Sequence, residues 1–390
     1  MKNRLWIGFA MASALAMCGV IAGPSVLAQA GATAVPTAPR NPTREEVVQM
    51  MKDISNWGRW GKDDEIGTFN LITPAVRKAA VALVKEGISV SLAHTLDKEV
   101  MADNPTPFKQ EFLMGPDGRM RAGAAMDVIS STYHATTTTH MDSLCHYIFE
   151  GKTYNGWEIE KYHQATPTRE GFGEGPGCMK NSILGVKDGL LTRGVLIDLP
   201  LMKGVKWLEP GTPVTIADLE AWEKFAGIRI GTGDALFLRT GRFARRAALG
   251  PWPSARQSAG FHVSVMPWFK QRDVALISSD SVQDVQPSNI EGFPRPIHML
   301  SINSLGMPMI DVARPGGGLA GGGPAEALDV HADGDRAARA WRVGIARQPD
   351  RDVLGALALG IGPWGPEPAP GDVHPVTSRR SASARGGSRD

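Results

Sequence analysis

The sequence predicts one mixed α/β domain over residues 43–311. Along this stretch, apolar and β-branched runs typical of strands alternate with segments that begin and end like helices. The stretch has no internal repeat and no linker rich in proline or glycine, so one continuous domain is the simplest interpretation. With 390 residues and 42% apolar content, the chain can bury a large core.

Cap residues and apolar runs predict the elements of this domain in order. Three helices are predicted from their caps: one that begins after Thr43, one that begins after Thr73 and ends before Gly87, and one that begins after Thr215 and runs through Phe225. Five runs predict strands, at residues 88–92, 126–132, 195–199, 235–238 and 274–277.

The formal charge of the chain, +2, gives little electrostatic preference for a partner. A protein that binds nucleic acid or an anionic membrane through its charge carries a strong basic excess, which this chain lacks. Neither is therefore expected as its main partner.

Residues 1–30 have the pattern of a secretory signal peptide. A positively charged start is followed by an apolar run at residues 5–26 and by an A-x-A pattern that ends at Ala30. A retained membrane anchor is disfavoured because glycine and proline interrupt a run of barely spanning length. A lipoprotein is disfavoured because Met17 precedes Cys18 where a small residue is expected. We expect a secreted or periplasmic protein that is free of the membrane after signal removal.

The segments on either side of the domain differ from it in composition. Residues 31–42 are small and proline-rich, which predicts a flexible lead-in. Residues 312–390 lack Phe, Tyr, Met, Lys and Asn, which predicts a poorly ordered low-complexity tail. A frameshift in a GC-rich gene would also account for this composition. One choice of codons for residues 344–354, read from its second base, gives ASPANPIATF and then a stop.

Three histidines and an aspartate lie within thirteen residues of a chain that has nine histidines. In an extended strand, alternate side chains share a face, so His134, His140 and Asp142 would lie together. If the chain turns helical after Asp142, His146 returns to the same side four residues later. This mixture of nitrogen and oxygen ligands suits Zn²⁺ or Mn²⁺.

Two alternatives to a metal site stay open on the spacing of this cluster alone. Any one of these histidines could be a structural residue held by hydrogen bonds. Cys145 could act as a nucleophile beside His146, although neighbours in a strand face opposite sides, and a small buried residue accounts for Cys145 better. Cys145 and Cys178 are the two cysteines after the signal segment, and export would allow them to form one disulfide.

The stretch at residues 136–146 resembles the motif H-x-G-T-H-x-D-x-P-x-H of the cyclase family of metal-dependent hydrolases, which includes bacterial kynurenine formamidase and isatin hydrolase. The resemblance covers nearly the whole domain. It continues in WGKDDEIGTFNLITP, GKTYNG, RGVLIDLP, LEPGTPVTIADLE, GDALFLRTGR and PRPIHMLSINSLGMPMID. Family members end in a segment similar to SPxNPIATF, which the shifted frame restores, so the resemblance favours a frameshift near Asp311.

The resemblance implies roles for individual residues. His140 and Asp142 correspond to metal ligands, and His146 corresponds to a histidine that binds a second metal or transfers protons. His298 corresponds to a further ligand or proton-transfer histidine, and Asp311 lies near a late acidic ligand of the family. The departure is Thr136, which stands where the first ligand histidine belongs. His134 is a candidate to replace it, and both one-metal and two-metal sites stay open.

The resemblance also implies a swivelling β/β/α fold, a homodimer, and hydrolysis of a C–N bond in a small carbonyl substrate, with N-formylkynurenine as the family example. A bound divalent cation would activate water for this reaction, and His146 would transfer the proton. The alternative is a secreted protein that binds a metal or ligand without catalysis, because Thr136 and the altered C-terminus both depart from the family.

Several further residues are candidates for the surroundings of the site. The aromatic side chains of Trp57, Trp60, Phe69 and Tyr154 could line a substrate pocket, although aromatic residues often fill cores instead. Asp280 and Asp284 follow a predicted strand and could lie at its carboxyl end near the site, or could serve as caps. His262 is expected to be a structural imidazole.

Overall fold

A computed structural model describes residues 39–84, 90–119 and 125–315, together with the backbone of two strands at 342–345 and 354–360. The predicted signal peptide, most of the lead-in and the remainder of the tail lie outside these residues. Export and the frameshift therefore stay predictions. Within the described residues, every helix is too short or too polar to span a bilayer.

The α-helices of the described residues are α1 (Arg44–Asp53), α2 (Pro74–Ala82), α3 (Ile159–Tyr162), α4 (Leu199–Lys203), α5 (Ile216–Ala226), α6 (Arg242–Leu249), α7 (Met266–Arg272) and α8 (Pro296–His298). A π-helix (Met299–Leu305) continues directly from α8. Short 3-10 helices occupy Gly67–Leu71, Tyr154–Gly156, Ile183–Val186 and Val263–Val265.

The three predicted helix starts are confirmed, and each has its capping bond. Thr43 and Thr215 both form capping boxes with an acidic residue three positions later. Thr73 accepts a bond from the Val76 N–H and precedes a proline in the first turn. The second helix, α2, ends at Ala82, before Gly87 as the sequence predicts.

The strands are β1 (Lys109–Phe112), β2 (Asp127–Ser130), β3 (His140–Asp142), β4 (His163–Arg169), β5 (Phe172–Cys178), β6 (Leu190–Asp198), β7 (Pro213–Val214), β8 (Ala235–Arg239), β9 (Gly260–Phe261), β10 (Leu276–Ser279), β11 (Met309–Asp311), β12 (Arg342–Ile345) and β13 (Leu354–Gly360). Four of the five predicted strands are confirmed in part or in full, as β2, β6, β8 and β10. The fifth, at residues 88–92, is wrong for its described part, since residues 90–92 form no strand.

The main sheet has the strand order β12-β13-β6-β8-β10-β11-β3. Its centre, β6, β8, β10 and β11, is parallel, while β3 pairs antiparallel with β11 at one edge. At the other side, β13 pairs antiparallel with β6, so two strands from the tail join the sheet. Helices between the parallel strands confirm the predicted mixed α/β class.

Hydrophobic side chains are buried on both faces of this sheet. In β8, Leu236 and Leu238 belong to one core cluster, whereas Ala235 and Phe237 belong to the other. This alternation follows from the period of two in a strand. Helices α1, α5 and α7 and the π-helix cover the first face, so the sheet is a rigid support for the strand ends.

Candidate metal centre

The edge strand β3 brings the histidine cluster against the last strand of the domain. In the antiparallel register, His140 lies opposite Asp311, and Asp142 lies opposite Met309. Alternate residues of a strand share a face, so His140, Asp142 and Asp311 point to the same side of the sheet. Residues 171 positions apart in the chain thereby meet at one edge.

Asp142 lies at the centre of this group of side chains. Its Oδ1 is 2.9 Å from His134 Nδ1, 3.4 Å from His140 Nε2 and 3.8 Å from His146 Nε2. Its Oδ2 is 3.6 Å from His298 Nε2. The carboxylate therefore divides the site, with three histidines on one oxygen and one histidine on the other.

His134 reaches this position by a route that the sequence did not predict. Residues 131–139 form turns, so the expectation that His134 shares a strand with His140 is wrong. The polar turn nevertheless carries the His134 ring onto that of His146, with centroids 3.7 Å apart and planes 4° apart. The predicted return of His146 to the Asp142 side is confirmed, by a turn in which the His146 N–H donates to Ser143 O.

His298 approaches from the last residue of α8 and is held by two carboxylates. Its Nδ1 is hydrogen-bonded to Asp284 Oδ2, and its Nε2 is 3.2 Å from Asp311 Oδ2. Gln283 Nε2 donates to Asp311 Oδ1 at 3.0 Å and so orients that carboxylate. Asp284 thus lies near the site, as its position after β10 predicted.

The hydrogen bonds of His140 and His298 leave the same ring nitrogen facing the centre. His140 Nδ1 lies 2.7 Å from Thr138 O, which can only accept, so Nδ1 carries the proton. Asp284 likewise fixes the Nδ1 proton of His298. In both rings Nε2 is directed at Asp142, an arrangement typical of metal-binding histidines with a supporting acceptor.

Two groups of ligand atoms are close enough to hold a cation, and they share Asp142. One group is His134, His140 and Asp142, and the other is Asp142, His298 and Asp311, with all atoms of a group within 4.8 Å of one another. Asp142 Oδ2 is buried and has no hydrogen-bond partner in the described residues. A buried carboxylate oxygen without a donor is costly unless a cation satisfies it, so these residues fit a divalent metal.

The pKa directions reflect the crowding of charges at the site. Burial alone would lower the pKa of His298, but Asp311 and Asp284 raise it to about 10. Burial likewise opposes ionisation of Asp142, whereas hydrogen bonds from His134 and His140 hold its pKa well below the usual range. Burial and the neighbouring histidines lower the pKa of His146 to about 4, against the opposing charge of Asp142.

Thr136, which occupies the place of a family ligand, has a structural role. Its hydroxyl donates to Asp103 O at 2.7 Å, and the Thr137 hydroxyl donates to Asn104 Oδ1 at 3.0 Å. The Thr139 hydroxyl donates to Val312 O at 2.6 Å. These threonines attach the turn before β3 to neighbouring loops, and they position His134 indirectly.

Two of the aromatic residues predicted to line a pocket are instead core residues. Tyr154 is completely buried, and its hydroxyl donates to Asp64 Oδ2 at 2.9 Å. Phe69 is buried in the cluster on one face of the sheet. Tyr154 offers no surface to a ligand, so its predicted substrate contact is wrong, whereas the predicted contact of Phe69 stays a prediction. Trp60 is half-buried with the Arg59 guanidinium over its ring, and its predicted contact stays a prediction.

Tyr133 and Tyr147 are the aromatic residues at the centre. The Tyr133 ring lies 5.0 Å from that of His134, and the Tyr147 ring lies 5.0 Å from that of His146 and 5.1 Å from that of His298. Neither was predicted from the sequence, although each directly precedes or follows a histidine of the motif. His134 and His146 have side-chain exposures of 41% and 29%, so the site opens on this side.

Three further predictions concern Cys145, Asp280 and His262. Cys145 forms a disulfide with Cys178, which excludes it as a free nucleophile in this state. Asp280 accepts bonds from the first turn of α6 and acts as a cap. His262 is a structural imidazole, hydrogen-bonded to Ser264 and Asn41, as expected.

The chain is similar to known proteins in sequence and in fold. Residues 90–283 match the family model described as "Putative cyclase". A solved structure described as a novel cyclase is 26% identical, with a TM-score of 0.55, over 67% of this chain and 86% of that chain. Isatin hydrolase A from Ralstonia solanacearum and isatin hydrolase A from Labrenzia aggregata bound to benzyl benzoate are each 19% identical, with TM-scores of 0.43, over 74% of this chain and 98% of theirs. No curated protein matches the chain.

Proposed function

We propose that the chain, whose residues 90–283 match the cyclase family model, is a metal-dependent hydrolase that cleaves a C–N bond of a small carbonyl substrate. The observation that carries the proposal is the buried Asp142 carboxylate, which has histidines on both of its oxygens and one oxygen without a donor. An amide, a formamide or a lactam is the substrate class that this chemistry suits.

His140, Asp142, His298 and Asp311 would hold the cation or cations, with His134 as a more exposed ligand. A bound divalent cation supplies a water of lowered pKa and polarises a carbonyl. The two ligand groups share Asp142, which supports either one ion or a bridged pair. The nitrogen and oxygen donors support Zn²⁺ or Mn²⁺.

His146 is the proposed proton-transfer residue. It is partly exposed on the open side of the site, and its lowered pKa leaves the imidazole neutral and able to accept a proton at pH 7. In hydrolysis, the oxygen of water bonds to the carbonyl carbon and the C–N bond breaks. His146 takes the proton from water and delivers it to the leaving nitrogen. His298 is buried with both ring nitrogens engaged, which supports a ligand role rather than proton transfer.

An aryl formamide is the specific substrate class that we propose, by analogy with the arylformamidases of the family. The rings of Tyr133 and Tyr147 on either side of the stacked histidines would offer an aromatic surface to such a substrate. This specificity rests on the resemblance together with those two rings.

Metal analysis combined with an activity assay tests the proposed function. We expect purified protein to bind Zn²⁺ or Mn²⁺ and to hydrolyse formanilide or isatin, and His140→Ala to lose both properties. His163→Ala, a change at an exposed histidine of β4, is the matched control and should keep both. Activity without bound metal, or full metal binding by His140→Ala, would contradict the proposal.

The rival is a protein that binds a metal or ligand on this fold without catalysis. Thr136 favours this rival, because it occupies the position of a ligand histidine in the family motif. Its hydroxyl donates to Asp103 O and so supplies no metal ligand there. Metal binding without hydrolysis of any amide, formamide or lactam, both for this chain and for one with the C-terminal frame restored, would support it.

We also propose that the protein is exported to the periplasm or the medium and forms a homodimer. The Cys145–Cys178 disulfide supports export, since such bonds persist in oxidising compartments. The exposed apolar side chains of the β1–β2 hairpin, including Phe112, Val128 and Ile129, support association of two copies. Fractionation and a molar mass measured by light scattering test the two proposals.

A further inference from the structure

His134 differs from the other candidate ligand histidines in how its ring is held. A backbone carbonyl orients the ring of His140, and a carboxylate orients that of His298, each through the nitrogen that faces away from Asp142. The hydrogen bond of His134 joins Nδ1 to Asp142 Oδ1 at 2.9 Å, and its Nε2 has no acceptor among the described residues. Its side chain is also the most exposed of the three. A ligand histidine without a supporting acceptor is oriented only by its other contacts.

Tyr133 links the turn that carries His134 to strand β3. Its hydroxyl donates to Met141 O at 3.3 Å, and Met141 lies between His140 and Asp142 in the strand. Its ring meets those of His134 and His140 edge to face, with centroids 5.0 and 5.5 Å apart. Aromatic pairs at this distance and angle attract each other. The phenol therefore fixes the backbone beside His134, and the ring contact restricts rotation of the imidazole.

The nitrogen that His134 directs at Asp142 makes the position of this turn critical. His140 and His298 approach Asp142 with Nε2, whereas His134 approaches it with Nδ1. Because Nδ1 is the ring nitrogen nearer to the backbone, the backbone of His134 has to lie close to the Asp142 carboxylate. A bond from the preceding residue to β3 holds it there.

We propose that Tyr133 is a positioning residue of the metal centre, which holds His134 in place as the ligand that replaces the histidine absent at Thr136. The inference rests on the proposed metal-dependent function. The hydroxyls of Thr136 and Thr139 bond to Asp103 O and Val312 O and so fix the end of the turn that enters β3. The Tyr133 bond fixes the end that carries His134.

The affinity for Zn²⁺, measured by competition with a chromogenic chelator, tests the role of Tyr133. Tyr133→Phe removes the hydroxyl and keeps the ring, and it should weaken Zn²⁺ binding by about two- to tenfold, the range of one hydrogen bond. Tyr133→Leu removes the ring contacts as well and should weaken binding further. Tyr162→Phe is the matched control, because this tyrosine of α3 packs on Trp157 instead, and it should keep the wild-type affinity. A wild-type affinity in Tyr133→Phe would overturn the inference.

A double-mutant cycle shows whether Tyr133 acts through His134. His134→Ala should itself weaken Zn²⁺ binding, and Tyr133→Phe should have no further effect in that background. An equal loss in both backgrounds would mean a general structural role and would overturn the inference. The visible absorption bands of Co²⁺-loaded Tyr133→Leu should match those of His134→Ala, since the same ligand is lost in both. Wild-type bands in Tyr133→Leu would contradict the proposal.

The same measurements separate this inference from the proposed function. Wild-type protein that binds no Zn²⁺ would overturn both. Wild-type protein that binds Zn²⁺ and hydrolyses formanilide, with additive effects in the cycle, would overturn the role of Tyr133 alone. Coupled effects on Zn²⁺ affinity in a protein that hydrolyses neither formanilide nor isatin would support the role of Tyr133 and contradict the proposed reaction.

Discussion

Replacing Asp284 with asparagine should weaken metal binding although Asp284 itself need not touch the metal. One carboxylate oxygen accepts the Ile297 N–H at 2.6 Å, and the other accepts the Nδ1 proton of His298. The amide of asparagine has one oxygen, which the backbone N–H of Ile297 would retain. Its NH₂ group would then face Nδ1 of His298 and force the proton onto Nε2, the atom that faces Asp142 and Asp311.

A protonated Nε2 cannot bind a cation, so the affinity should fall by the factor of about 10 to 100 that is typical for loss of a supporting acceptor. That factor corresponds to about 1.4–2.7 kcal/mol. Competition for Zn²⁺ with a chromogenic chelator measures the change. Asp280→Asn is the matched control, because Asp280 is a buried carboxylate that caps α6 instead. An Asp284→Asn affinity equal to that of the wild type would refute this reasoning.

Three further predictions concern pH, the disulfide and one glycine. In metal-free protein, the raised pKa of His298 contributes stability that is fully present below about pH 6.5 and is lost as the pH rises toward about 10. The free energy of unfolding in urea should therefore exceed that of His298→Gln by less at pH 9 than at pH 7. A difference in unfolding free energy that does not change with pH would contradict the ion pairing of His298 with Asp284 and Asp311. Reduction of the disulfide, whose cysteines are 33 positions apart, should lower the free energy of unfolding by about 4 kcal/mol by the loop-entropy relation. A variant with both cysteines replaced by serine should not respond to reductant. Gly306→Ala should destabilise by about 1–3 kcal/mol beyond Gly204→Ala. Both glycines have left-handed backbone, but a Cβ at 306 meets the Tyr154 ring whereas one at 204 meets nothing. Equal melting temperatures for these two variants would contradict the prediction that a Cβ at position 306 clashes with the Tyr154 ring.

The short-range part of the site could be predicted from the sequence. The spacing of His140, Asp142 and His146 needs one short strand and one turn, and both are present. Asp284 could be assigned to the neighbourhood of the site because parallel strands end at a common edge. Local periodicity and strand order thus predict much of the metal centre.

The remaining features depend on long-range packing that no local pattern encodes. Tyr147 and His298 are 151 positions apart, and their rings come within 5.1 Å through the placement of α8. His134 approaches Asp142 through a turn rather than a strand, because threonine hydroxyls fix that turn against other loops. Tyr154 resembles a pocket residue in sequence, but the close approach of Gly306 makes it part of the core.

An anomalous-scattering crystal structure of the protein loaded with Zn²⁺ would test the central claim most directly. We expect an anomalous peak bound by Asp142 and His140, or two peaks that share Asp142, with His298 and Asp311 on the second. Asp142→Ala crystals soaked in the same way should lose the peaks. Zinc bound elsewhere, with Asp142 free of metal in fully loaded protein, would contradict the assignment of this carboxylate as the central ligand.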